Sequence, residues 1–542
     1  MKKIFGLFVL VLLFDIWACA DIYAATCDMY TYYINNNSAI ITDCSTTLSG
    51  DIVIPDKLGN CPVTTIGSGA FDGCSSLTGV TIPNGVTTIG SSAFKNCSSL
   101  TAITMPDTIK NVDNAAFEGC KNLVKVNITD VKNWCEIAFF DVSSNPLYYA
   151  KNLYVNNNLI ADLVIPEGVS SIPYATFYNC TGFESVTFPD SLTSVGQMAF
   201  YGCANISKVH TNDIGNWCEI DFYDVTANPL FYANKLYLNG NPVTNVIIPD
   251  GTTKIGSCAF VRCYDIKNLT IPDSVTSIGT GAFNRCTGLT EVIIPDFLTR
   301  IGSSAFYGCT SLENVIIGNH VESIGDSAFY NCSELAEVTV PDSVVSVGGS
   351  AFNNCTSLKS VVLGNGVKSI GSYDFTGCSN LEKLVLGNSV ESIEAYAFSD
   401  CTSLNGITFP DSVKTVYHGL FRNCDLVICA NSDTRMHEYA RDYEIPFVDM
   451  KTISDIESGI KAESVATSSG KNIFVLSPRS MDENAYIIVA LYNQKQLSEY
   501  KAFNNKNEIV YFSSVLPFDT AKVMAWNSFD CMKPLCVAYQ IN

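Results

Sequence analysis

The stretch Leu289–Ser311 reads LTEVIIPDFLTRIGSSAFYGCTS, and the placing of its apolar residues decides the fold. Val292 and Ile294 alternate with Glu291 and Ile293, the period of two that marks a strand with one buried face. Pro295 has no N–H to give a sheet ladder, so it ends that strand, and Asp296 favours the turn that follows. Leu298 and Ile301 make a second short buried segment before Gly302; Ala305, Phe306 and Cys309 then complete a coil. About seven or eight inward side chains are too few to hold such a coil alone, so they need like coils above and below.

Outward from this unit the pattern repeats. Phe-x-x-Cys recurs with its cysteine at 74, 97, 120, 180, 203, 263, 286, 309, 332, 355, 378, 401 and 424; ten of the twelve intervals are 23 and the other two are both 60. A fixed period of this length is the signature of a solenoid. Its large filler is always phenylalanine, including Phe71, Phe94, Phe117, Phe283, Phe306 and Phe329, and Cys286, Cys309 and Cys332 stand for the small apolar column beside it. The predicted fold is a β-rich solenoid of leucine-rich-type repeats with N- and C-terminal caps, followed by a small immunoglobulin-like β-sandwich.

These residues resemble the BspA-type leucine-rich repeat family, whose units read close to L-x-x-V-x-I-P-x-x-V-x-x-I-G-x-x-A-F-x-x-C, over about Asp51–Cys424. The resemblance implies secreted or cell-surface proteins, several linked to adhesion or host-protein binding, and no family-wide catalytic residues. A ligand does not transfer with a fold.

The two 60-residue intervals hold a duplicated insertion, expected over about 130–162 and 213–245: Asn133-Trp134-Cys135-Glu136-Ile137 returns as Asn216-Trp217-Cys218-Glu219-Ile220, and Asn145-Pro146-Leu147 as Asn228-Pro229-Leu230. After each comes a predicted hairpin, one turning at Asn156-Asn157 and one at Asn239-Gly240. Tyr32 to Asn37 reads as a similar hairpin, which makes 26–50 the N-terminal cap; at the other end, 425–449 is the C-terminal cap, with Ser432 as a helix N-cap. Residues 450–470 turn polar and small and read as a linker. In the sandwich assigned to 471–542, strands are expected at Tyr486–Leu491, Ile509–Phe512, Lys522–Trp526 and Val537–Tyr539.

Residues 1–25 have the form of an export signal: Lys2 and Lys3, an apolar run from Ile4 to Phe14, then small residues that allow cleavage after Ala20 or Ala24. The expected setting is therefore extracellular, either released or held at the cell surface, without membrane insertion once the leader is removed. A net charge of −21 repels phosphate backbones, which argues against nucleic acid as a partner.

Twenty-three cysteines in an exported chain invite a disulfide framework. The repeated ones argue otherwise, because their column is apolar and parallel side chains about 4.8 Å apart miss disulfide geometry. They read as free thiols that pack like small hydrophobes. Bridges stay open for Cys27, Cys44 and Cys61, and for Cys531 and Cys536. Asp or Asn follows the strand at Asp250, Asp273, Asp296, Asn319, Asp342, Asn365, Asn388 and Asp411; turns favour these residues, so the row carries no metal assignment. Four scattered histidines and the lack of hydrolase or phosphate-loop motifs leave no catalytic residue to name, and no cofactor is expected.

The reading is thus a monomeric recognition or adhesion protein, not an enzyme, whose partner is an extracellular protein or glycan. A structural spacer for the terminal module and a hydrolase with an acidic site hidden in sequence are the alternatives. The candidate contacts are the varying outward strand residues Asn268, Glu291, Asn314, Glu337, Ser360 and Lys383, and the duplicated Trp134 and Trp217, since tryptophan is a strong contact anchor; the other reading of the two tryptophans is an apolar lid on the solenoid.

Overall fold

The structure is a computed structural model that describes residues 29–449 with their side chains and, by backbone alone, Ala25–Cys27 and seven strands between Lys461 and Ile541. Residues 1–24 of the leader, residues 450–460 of the linker, and Cys531 and Cys536 lie outside the described residues. The chain divides into two units, Met1–Pro242 and Val243–Asn542.

In the second unit, Leu289–Ser311 shows how one coil closes. Val292, Ile294, Leu298, Ile301, Ala305, Phe306 and Cys309 are at most 1 % exposed, all turned inward from a coil whose two strands are Glu291–Ile293 and Arg300–Ile301. Each strand pairs in parallel with its counterpart 23 residues on, as in Val292 with Val315 and Ile301 with Ile324. The remaining side is held by amides: the N–H groups of Ser304, Phe306 and Gly308 donate to the carbonyls of Asp326, Ala328 and Tyr330 at 2.8, 2.8 and 2.7 Å. Ser304 (φ 55°) and Gly308 (φ 70°) are left-handed, which lets amides two apart aim the same way along the stack. Inside, the rings from Phe260 to Phe421 stack 5.2 to 5.8 Å apart and within 11° of parallel, in the offset range aromatic pairs prefer.

Beyond the last Phe-x-x-Cys, strand Val427–Ala430 pairs with Gly406–Thr408 and with Phe447–Asp449. Between these lies the helix Arg435–Asp442, whose N-cap is Thr434 instead of Ser432. Thr434 has the extended backbone of a cap and donates its hydroxyl to the Asn431 carbonyl at 2.6 Å, whereas Ser432 sits in the preceding turn. From that helix Tyr439 meets the Phe421 ring edge-on at 6.3 Å, and its hydroxyl accepts the Leu420 N–H. Further along, two antiparallel sheets form, one of Lys461–Thr467, Gly470–Leu476 and Ile509–Ser514, the other of Gln496–Asn504, Tyr486–Asn493, Thr520–Trp526 and Tyr539–Ile541. The strand Lys461–Thr467 occupies part of the stretch read as a linker.

The first unit opens on a hairpin, Tyr30–Asn35 with Ser38–Cys44, turned by Asn36 (φ 47°) and Asn37 (φ 61°), and its second strand pairs in parallel with Cys61–Ile66. Tyr30 lies edge-on to Phe71 at 6.2 Å. The duplicated segments prove to be coils of the stack, not excursions from it. Ala138–Phe139 extends the sheet of Asn111–Val112, and Leu153–Val155 extends that of Lys125–Ile128. Their Asn-Pro-Leu motif has a structural cause: buried Asn145 accepts the Leu147 N–H at 2.9 Å and donates to the carbonyls of Ala175 and Thr176 at 2.8 and 3.0 Å, stitching this coil to the next. Each such coil ends in a tight hairpin with left-handed Asn156 and Asn157, or Asn239 and Gly240.

Candidate recognition face

In the repeat strands the residues that alternate with the buried ones face outward, so the same alternation that builds the core also builds a face. In the second unit, Glu291, Asn314, Glu337, Ser360 and Lys383 stand in register as one outward row, all exposed except half-buried Ser360. Asn268 is exposed on Asn268–Thr270 and donates to Asn245 Oδ1 at 2.7 Å. The second outward row is β-branched: Ile293, Ile316 and Val385 are 54, 55 and 39 % exposed, and Thr339 and Thr408 are exposed beside them. Parallel sheets are ordinarily covered on both faces, and this one leaves isoleucines more than half bare.

The first unit builds its face differently. One outward row runs Val53, Thr81, Thr104, Asn127, Tyr154, in which Asn127 is buried under the hairpin and accepts the Asn157 N–H at 2.7 Å, and another runs Val164, Thr187, His210, Tyr237. Each ends on a tyrosine from the hairpin of a duplicated coil. Lys125 Nζ lies 5.0 Å from the centre of the Tyr154 ring, within cation–π range, and 2.9 Å from Asn157 Oδ1. His210 and Tyr237 have ring centres 5.0 Å apart. Burial and then the Lys208 charge hold the His210 imidazole below its usual range, against the pull of Asp162, so it is neutral at neutral pH. Tyr154, Tyr237, Lys125 and His210 were not singled out from the sequence; the signal was the outward position of Tyr154 in Leu153–Val155 and of Tyr237 in Leu236–Leu238.

Trp134 and Trp217, expected as contact anchors, are 1 and 0 % exposed and offer no surface to a ligand. The Trp134 indole N–H donates to the Thr176 carbonyl at 3.0 Å and its ring packs on Phe139; Trp217 packs on Phe188 and Phe222. A coil without the Phe-x-x-Cys motif still has a core to fill, and the indole fills it. Besides Tyr154 and Tyr237, these coils present Phe140 and Tyr223, 70 and 69 % exposed, each next to the inward Phe139 or Phe222.

The Asp/Asn row forms a chain of side chain to backbone bonds. Asp296 Oδ1 accepts the Asn319 N–H at 2.8 Å, Asp342 Oδ1 the Asn365 N–H at 2.6 Å, and Asn365 Oδ1 the Asn388 N–H at 3.0 Å. These oxygens are turned along the stack toward the next coil. Ten of the repeated cysteines donate S–H to the carbonyl of the phenylalanine one coil back, as Cys309 does to Phe283, at 3.0 to 3.3 Å. Burial pushes Cys309 up to about 12, so its thiolate is scarce.

The profile of the BspA type leucine rich repeat region (6 copies) matches residues 46–158, 148–226, 233–357 and 323–432, more than half of the chain. Among solved structures, the chain is similar to a leucine rich cell surface protein from Faecalibacterium prausnitzii, at 24% identity over 77% of this chain and 97% of that one with a TM-score of 0.32. It is also similar to a leucine-rich repeat protein from Bacteroides ovatus (24% identity, 79% and 99% covered, TM-score 0.38) and to the pneumococcal vaccine antigen PcpA (16%, 79% and 98%, TM-score 0.35). No match is found among curated proteins.

Proposed function

The chain belongs to the BspA-type leucine-rich repeat family, and on that premise we propose that it is an extracellular recognition or adhesion protein that binds a protein or glycan through the outward strand rows. The observation that carries this is the bare outer face: β-branched residues more than half exposed beside a row whose charge changes from coil to coil, from Glu291 to Asn314 to Lys383. An apolar stripe with a polar margin is the composition of a contact surface. Release from the cell or retention on its surface rests on the leader-like residues that begin with Lys2 and Lys3. Among the described residues no helix is long and apolar enough to cross a membrane. Tyr30 and Tyr439, each edge-on to a terminal phenylalanine of its column, act as caps, and the paired sheets beyond Lys461 form an immunoglobulin-like accessory module.

The test is a screen of the full chain against extracellular-matrix proteins and a glycan array, beside a variant carrying Ile293→Lys and Ile316→Lys. A ligand that binds the parent and is lost at least tenfold in the variant supports the reading. Equal binding by both, or none by either, contradicts it.

A further inference from the structure

The first cysteine of the array departs from the sulfur ladder in a way of its own. Each thiol from Cys286 to Cys424 donates to a phenylalanine carbonyl 26 residues earlier, and Cys97 and Cys120 do the same. Cys74 has Leu48 in place of a preceding phenylalanine, and its sulfur instead meets the sulfur of Cys44 at 3.1 Å. Cys44 ends the strand Ser38–Cys44, directly opposite Tyr30 in the hairpin register, and Tyr30 is the residue that covers Phe71. The hairpin therefore covers both members of the first Phe-x-x-Cys, ring with ring and thiol with thiol. Both sulfurs are buried, at 7 and 1 % residue exposure, and Cys61, the other cysteine of this region described with its side chain, turns its thiol to Asn37 Oδ1 at 3.7 Å.

We propose that Cys44 and Cys74 form a disulfide in the exported protein, pinning the N-terminal hairpin to the first repeat while the rest of the ladder stays reduced. The bonded distance is about 2.05 Å, so the sulfurs need close by only about 1 Å. The oxidant is a disulfide of the glutathione class. A thiolate of one cysteine attacks it, forming a mixed disulfide and releasing one thiol; the second cysteine displaces the other. One S–S bond forms in the protein as one breaks in the oxidant, and the two protein protons end on the two released thiols. Once docked, both thiols are held protonated by burial, which starves the exchange of thiolate. The bond accordingly forms while the hairpin is still closing. It secures the segment that shields the sheet end, where an open edge would recruit other chains.

The test is to refold the full chain in a reduced/oxidised glutathione buffer, unfold it in denaturant containing N-ethylmaleimide, and map cysteines by mass spectrometry. The expected result is a peptide pair joined through Cys44 and Cys74, two hydrogens lighter than the free pair, with Cys286, Cys309 and Cys332 carrying maleimide. A Cys44→Ser chain handled identically should carry maleimide on Cys74, and reductant should lower the melting midpoint of the parent chain but not of this variant. Maleimide on both Cys44 and Cys74 of the parent overturns the proposal. So does linkage of either to a different cysteine, or an equal effect of reductant on both chains.

Discussion

A single carboxyl tests the account of the buried columns. Asp374 stands where other coils carry the alanine of Ala-Phe, is 0 % exposed, and accepts the N–H groups of Ala351 and Gly371 at 3.1 and 2.6 Å. Burial pushes it up to about 7 although both amides pull the other way. Its folded value exceeds an unfolded one near 4, so the stability it contributes is complete below about pH 4 and is lost as pH rises to about 7. The melting-midpoint advantage of Asp374→Ala over the parent should therefore grow between pH 4 and pH 8; a gap that does not change with pH would show the carboxyl is not held as described. For Phe306, fully buried between two stacked rings, truncation to alanine should cost about 3–5 kcal/mol by denaturant titration. These inward residues were legible because a period of 23 puts like with like. Trp134 and Trp217 left two readings open, contact anchor or apolar lid, for the converse reason: each lies where the motif is interrupted, and a lone aromatic residue in such a stretch carries no mark of which way it points.

At the scale of the coil, close approach matters more than residue type. A Cβ on Gly302 would lie 2.5 Å from the carbonyl carbon of Gly279, backbone against backbone. Gly302→Ala should therefore destabilise by about 1–3 kcal/mol, read from the denaturant midpoint, and an unchanged midpoint would mean that the coils pack less closely than described. The strands and hairpins were readable from alternation and from Asn-Gly or Asn-Asn turns. Three features were not. The left-handed position five before each cysteine is filled by Ala115, Met198, Ser304 and Tyr373, which share no chemistry, because the demand comes from amides aimed at the next coil. The duplicated segments looked like insertions because they lack the Phe-x-x-Cys spacing that marks a coil elsewhere. Gly470–Leu476 and Gln496–Asn504 were missed among the terminal strands, and QLSEYKAFN shows no clean apolar alternation.

At the scale of the molecule, one alternation produces two things in each unit, a closed interior column and a bare outward face. The face should be dispensable for folding: Ile293→Lys with Ile316→Lys should shift stability by no more than about 0.5 kcal/mol, since both side chains are already more than half exposed. The ligand itself was never legible, because the outward rows vary without a motif and nothing in their spacing selects a partner chemistry. The most direct test of the central claim is native-state labelling with N-ethylmaleimide of chains carrying Ile293→Cys or Ile316→Cys. The introduced thiols should react to completion while Cys286, Cys309 and Cys332 remain unmodified until denaturant is added. Labelling of those three in the native chain as fast as the introduced thiols would contradict the account.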